Sequence, residues 1–206
     1  MGRYSLRDGK ITADGDLEAN KLTVSGKMPV QYIIPKTVAV STSAILTDHD
    51  FNATGTAAVD NTGILVQPPY PMELHLNWNA VGTASDDDGL VFVGENAMGK
   101  AITDTLLISS AASGNVYTSN AYAKIDSITP NTTIKCTSVG LGFRNVVGLP
   151  YPLEANTDII SYAYDGAYAT TAVDALTVDT TYNNLTLPAM EASKVISVQY
   201  LSKVQE

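Results

Sequence analysis

Hydrophobic and polar residues alternate most regularly at Met72-Glu-Leu-His-Leu-Asn-Trp78. Met72, Leu74, Leu76 and Trp78 fall on one side, and Glu73, His75 and Asn77 on the other. A period of two over this run predicts a half-buried strand with Trp78 in the core. Runs of the same kind predict strands at 32–40, 63–67, 89–94, 101–108, 121–128, 132–139, 157–164, 172–178 and 194–201. Turn residues separate them: Pro68-Pro69, Asp88-Gly89, Met98-Gly99, Ser113-Gly114, Pro130-Asn131 and Asp165-Gly166. No stretch holds a 3.6-residue period. The Ala-rich pieces 53–58 and 167–175 are diluted by Thr, Gly and Asp, which weakens any helix. The pattern predicts an all-β chain: an antiparallel β-sandwich, jelly-roll-like body with an extended N-terminal arm.

The arm is read as residues 1–36 and the body as 37–206. Before Met28 the large apolar side chains are Tyr4, Leu6, Ile11, Leu17, Leu22 and Val24, well spread along the segment. Such a segment cannot bury enough surface to offset its ordering entropy. Two β-prone runs, 9–15 and 16–26, are bracketed by glycines and have no evident partner within the arm. Unpaired strands are normally covered, and another subunit is the economical cover. Pro29 and Pro35 mark the passage into the body.

Charge sharpens this division. Arg3, Arg7, Lys10, Lys21, Lys27 and Lys36 are half of the twelve Lys+Arg, yet they lie within the first 36 residues. Against four acids they give that segment +2, which leaves −11 on the rest of a chain whose net charge is −9. A body so acidic should not attract nucleic acid or an anionic membrane. No apolar run approaches the ~20 residues of a membrane span, and the N-terminus lacks the apolar region of a signal peptide. Synthesis in a reducing cytoplasm is therefore expected. The single Cys136 excludes an internal disulfide framework and reads as a small buried apolar residue.

Candidate chemistry is sparse. Gly94-Glu-Asn-Ala-Met-Gly-Lys100 fits the first seven positions of a phosphate-binding loop, but Ala101 stands where Ser or Thr should bind Mg²⁺. A strand rather than a helix is expected to follow, so the segment reads as a hairpin turn. The acidic turn Asp86-Asp87-Asp88 lacks the spacing of a twelve-residue Ca²⁺ loop and reads as solvated. Asp48-His49-Asp50 has no second histidine nearby to complete a metal set, and His75 reads as solvated. No nucleophile or zinc-protease motif is present. No cofactor, metal or catalytic residue is assigned. Tyr151, Tyr162, Tyr164 and Tyr168 are either a sugar-stacking platform or, as is commoner in a sandwich, core and interface residues.

A composite signal lies in the middle of the body. Gly94-Glu-Asn-Ala-Met-Gly-Lys-Ala-Ile-Thr-Asp-Thr-Leu-Leu-Ile-Ser109 leads to Tyr122-Ala-Lys-Ile-Asp-Ser-Ile-Thr129. Thr132-Thr-Ile-Lys-Cys-Thr-Ser-Val-Gly140 and Val147-Gly-Leu-Pro150 follow. This order resembles small virion proteins of tailed bacteriophages across residues 90–153. They tend to run G-x-D-x-x-G-x-A-x-T-E-T-I, then A-F-K-x-I-x-S-I-T, then a strand ending in Val-Gly, then L-G-L-P. The present chain has Glu95 and Asn96 near the first Asp, Asp104 in place of Glu, and Tyr122 in place of Phe. The likeness is one of strand order more than identity. It implies a non-enzymatic particle component, often a capsid decoration protein.

The expectation is therefore a homotrimeric decoration (cement) protein on the capsid exterior of a virion. Its arm would contact the major capsid protein through Arg3, Tyr4, Leu6, Arg7, Ile11, Leu17, Leu22 and Val24. The alternatives are a head fibre, tail-fibre adaptor or baseplate piece, or a glycan-binding sandwich module.

Overall fold

The computed structural model describes residues 4–7, 10–13, 27–49, 59–60, 66–80, 89–108, 113–130, 136–168, 176–187 and 191–203. The arm carries β1 (Tyr4–Arg7) and β2 (Lys10–Ala13). The first half of the body has β3 (Met28–Ile34), β4 (Ser41–His49), β5 (Val59–Asp60), β6 (Met72–Ala80), β7 (Gly89–Glu95) and β8 (Ala101–Leu107). Then come β9 (Gly114–Tyr122), β10 (Lys124–Pro130) and β11 (Cys136–Gly148). A 3₁₀ turn at Asn156–Asp158 precedes β12 (Ile159–Tyr164), β13 (Ala167–Tyr168), β14 (Thr177–Asp179), β15 (Asn184–Thr186) and β16 (Ile196–Ser202). Among the described residues there is no α-helix, and every strand pairing is antiparallel.

The body contains three sheets. One has the order β5-β10-β7-β8, a second β14-β15-β11-β6-β9, and a third β13-β12-β16-β3. β4 joins the second sheet by pairing with β11, on the stretch Val139–Phe143 that precedes the β15 contact at Val146–Gly148. All three sheets feed one core. Met72, Leu74 and Leu76 of β6, Phe92 of β7, Leu141 of β11 and Tyr200 of β16 belong to a single buried cluster. Full burial of each such side chain contributes roughly 1.5–3 kcal/mol. The expected antiparallel sandwich is the fold that forms.

Trp78 is buried, as its place in the alternation predicts. The hairpin reading of 94–100 holds as well. Glu95 pairs with Ala101 across the β7–β8 turn. The Asn96 carboxamide oxygen accepts the N–H groups of Met98 and Lys100, both at 3.0 Å. Gly99 takes φ +70°, a left-handed conformation that glycine adopts without cost.

Several boundaries differ from expectation. The strand expected at 32–40 forms only as the end of β3: the ladder stops after Ile34, residues 35–40 are not strand, and β4 begins at Ser41, beyond the expected range. Pro35 lacks the N–H that a continuing ladder needs. Residues 28–34, taken as the end of the arm, are built into the body: Met28 through Ile34 pair in register with Ser202 through Ile196. The alternation of Val30, Tyr32 and Ile34 toward the core explains it. The strand expected at 121–128 is divided between β9 and β10. Of the strands expected at 63–67, 132–139 and 172–178, positions 63–65, 132–135 and 172–175 lie outside the described residues.

Candidate functional site

The arm carries the residues expected to make contact. Tyr4, Leu6 and Arg7 are in β1 and Ile11 is in β2; Arg3, Leu17, Leu22 and Val24 lie outside the described residues. The register pairs Tyr4 with Ala13, Ser5 with Thr12, Leu6 with Ile11 and Arg7 with Lys10. Directly paired positions share a face. The ribbon thus has one face of Tyr4, Leu6, Ile11 and Ala13 positions and another of Ser5, Arg7, Lys10 and Thr12. The first β-prone run was expected to lack a partner within the arm; instead its residues 10–13 pair with 4–7. Asp8 and Gly9, which stand between the two strands in the sequence, lie outside the described residues. Among the described residues β1 and β2 pair with no strand of the body. A two-stranded ribbon alone is marginal in water.

The root of the arm is tied to the body by charge. Lys27 Nζ donates to both carboxylate oxygens of Asp158, at 2.6 and 2.5 Å, and lies 3.3 Å from Glu154 Oε2. Lys203 Nζ holds Glu154 Oε1 at 2.8 Å. Asp158 is buried, at 6% exposure, and also accepts the Ala155 N–H at 3.1 Å. The Asp158 contact, followed by Glu154, raises the Lys27 ammonium above its ordinary value against a desolvation effect of opposite sign. Lys203 and then Lys27 hold the Glu154 carboxyl below its ordinary value.

A second polar constellation lies on the face of β6 turned away from the core. His75 was expected to be merely solvated; its Nε2 sits 3.0 Å from Asn115 Oδ1, and its ring centroid is 4.8 Å from that of Tyr117. Arg144 places its guanidinium 4.3 Å from the Tyr117 ring centroid and donates to Glu73 Oε2 at 2.8 Å. Asn184 Nδ2 donates to Glu73 Oε1 at 3.0 Å and to the Ser119 carbonyl at 2.7 Å. Glu73 is consequently buried although it occupies the polar side of the alternation. Burial pushes its carboxyl up, and Arg144 and Asn184 oppose that shift. Tyr117 remains 41% exposed. Sequence reasoning missed this cluster because its members come from four strands.

The tyrosine platform does not form as one surface. Tyr162 is buried and Tyr164 packs against the core, whereas Tyr151 is exposed. Tyr168 is in β13, opposite Ala163. Cys136 opens β11 opposite Ala80, and His49 closes β4. Asp50 and the acidic turn at 86–88 lie outside the described residues. Among the described residues no three His, Cys, Asp or Glu side chains are grouped to hold a metal, and no helix is long and apolar enough to cross a membrane. Comparison with protein-family models, curated proteins and solved structures finds no match to this chain.

Proposed function

We propose that this chain is a non-enzymatic structural protein of a phage particle, a capsid decoration protein that docks through its N-terminal arm. One observation carries the reading: the β1–β2 ribbon pairs with no body strand among the described residues, and its register puts the Tyr4, Leu6, Ile11 and Ala13 positions on one face. Such a ribbon gains stability when that face is covered, and a shell of repeated subunits offers cover at every copy. The charge division supports it. A basic arm seats on acidic shell subunits, and the acidic body faces outward. A homotrimer suits a symmetry axis of such a shell, with the major capsid protein as partner and the capsid exterior as location. The order of motifs over 90–153 points to the same class of virion protein.

The test is co-purification. Intact particles should carry the protein in hundreds of copies, in fixed ratio to the major shell protein. Copies numbering in the tens would favour a fibre, adaptor or baseplate role. Absence from particles would end the proposal.

One observation favours a second reading, a glycan-binding module. The exposed Tyr117 ring, flanked by His75, Asn115 and Arg144, combines an aromatic surface with planar hydrogen-bonding groups. Binding on a glycan array that is lost in Tyr117→Ala would support it.

A further inference from the structure

We propose that Lys27 and Asp158 join in an intramolecular amide bond that the chain forms by itself, with Glu154 as the proton carrier. The inference stands on the geometry at the root of the arm and is independent of docking.

A nucleophile, an electrophile, a proton carrier and an oxyanion donor meet there. Lys27 Nζ lies 2.6 Å from Asp158 Oδ1 and 2.5 Å from Oδ2. With both oxygens so near, the nitrogen lies in the carboxylate plane about 3 Å from the carbon between them, and attack needs it only to swing out of that plane. Glu154 Oε2 lies 3.3 Å from the same nitrogen. Lys203 grips the other Glu154 oxygen at 2.8 Å, which leaves Oε2 directed at Lys27. The Ala155 N–H donates to Asp158 Oδ2 at 3.1 Å, so that oxygen is the one prepared to carry negative charge. The electrophile is the sheltered member: the Asp158 side chain is only 8% exposed, while Lys27 at 26% and Glu154 at 42% stay in reach of water.

The chemistry balances without a further reagent. As found, the pair is an ammonium facing a carboxylate, which is the unreacted state. The resting ion pair favours both charged forms, so the step starts from a transient transfer of one proton from the ammonium to Glu154, and the freed amine attacks the Asp158 carboxyl carbon. A carbon–nitrogen bond forms, and the bond to Oδ1 breaks. Oδ1 leaves as water with two protons that began on Lys27, one of them handed on by Glu154. Oδ2 remains as the amide oxygen. Nothing is oxidised or reduced, and Glu154 ends as it began.

The position gives the bond a purpose. Lys27 immediately precedes β3, where the arm meets the body, and Asp158 immediately precedes β12. β3 and β12 flank β16 in one sheet. A covalent tie here would carry tension on the arm across three strands rather than on the edge strand alone.

The experiment is peptide mapping of the purified full-length chain by mass spectrometry. The expected result is one branched peptide joining the segments that contain Lys27 and Asp158, lighter by one water than their sum. Lys27→Arg keeps the charge and the ion pair, and should yield the two peptides separately. Glu154→Gln should slow linkage by about 10²–10⁴-fold, the usual worth of a positioned acid–base group, so freshly made protein should be unlinked. Separate peptides of full mass from the wild-type chain would overturn the proposal. Complete linkage in Glu154→Gln would overturn the role given to Glu154.

Discussion

The Asp104 carboxylate accepts the Tyr122 hydroxyl at 3.0 Å across the junction of two sheets. Asp104 is on β8, and Tyr122 ends β9 in the neighbouring sheet. The same carboxylate lies 3.3 Å from the N–H groups of Ser119 and Asn120 and 3.1 Å from Asn120 Nδ2. It serves the irregular stretch of β9 where pairing with β6 shifts register. Burial, reinforced by Asp104, pushes the Tyr122 hydroxyl upward, so it stays a donor. The motif pattern set beside this sequence has Glu and Phe at these two positions, where the chain has Asp104 and Tyr122. Here they are complementary: the shorter acid meets a ring that carries a hydroxyl.

Asp104→Ala should therefore destabilise the fold by about 2–3 kcal/mol, because several partly buried donors lose their acceptor. Tyr122→Phe should cost about 1 kcal/mol. In a double-mutant cycle read by denaturant unfolding, the two effects should fall well short of adding. Full additivity would mean that the contact contributes nothing.

Trp78 closes the best alternating face, and Gly114 lies opposite it in β9. A Cβ on Gly114 would come within 2.5 Å of the indole ring. Trp78→Ala should cost about 3–5 kcal/mol. Gly114→Ala should cost about 1–3 kcal/mol by overpacking. Thermal or denaturant unfolding checks both; a loss below about 1 kcal/mol for Trp78→Ala would place that ring outside the core.

Burial pushes the hydroxyls of Tyr32, Tyr162 and Tyr200 up to about 12, from an ordinary 10.0. A raised folded value means that the unfolded chain releases these protons first. The stability they contribute is full below pH 10 and is lost as pH rises toward 12. Absorbance at 295 nm follows the ionisation of these tyrosines directly. The buried group should titrate late, together with the loss of near-ultraviolet circular dichroism. Ionisation of all tyrosines near their ordinary value in a still-folded protein would contradict the packing described.

How much of this was legible depends on how local the signal is. The β6 alternation and the Asn96–Gly99 turn are written in adjacent residues, and both emerge as read. β4 and β9 were missed. β9 presents Asn115, Tyr117 and Ser119 outward and buries Thr118, whose hydroxyl is satisfied by the Asn120 carbonyl and the Leu74 N–H. A strand stabilised that way has little hydrophobic alternation. β11 runs through Gly140 and Gly142, which resemble turn residues. A Cβ on Gly142 would strike the Ser41 backbone, so glycine there permits the close approach of β4. The Lys27–Asp158 tie spans 131 positions, and no local pattern announces it.

The central claim is that the arm docks and the body folds without it. The direct measurement compares the full chain with a form lacking residues 1–26, which retains Lys27 and β3. Thermal unfolding of each is followed by co-sedimentation with intact particles stripped of the protein. The truncated body should unfold within about 2–4 °C of the full chain, a difference of less than about 1 kcal/mol, and should no longer sediment with particles. A truncated body that aggregates or melts far lower, or one that still binds particles as the full chain does, would contradict the account.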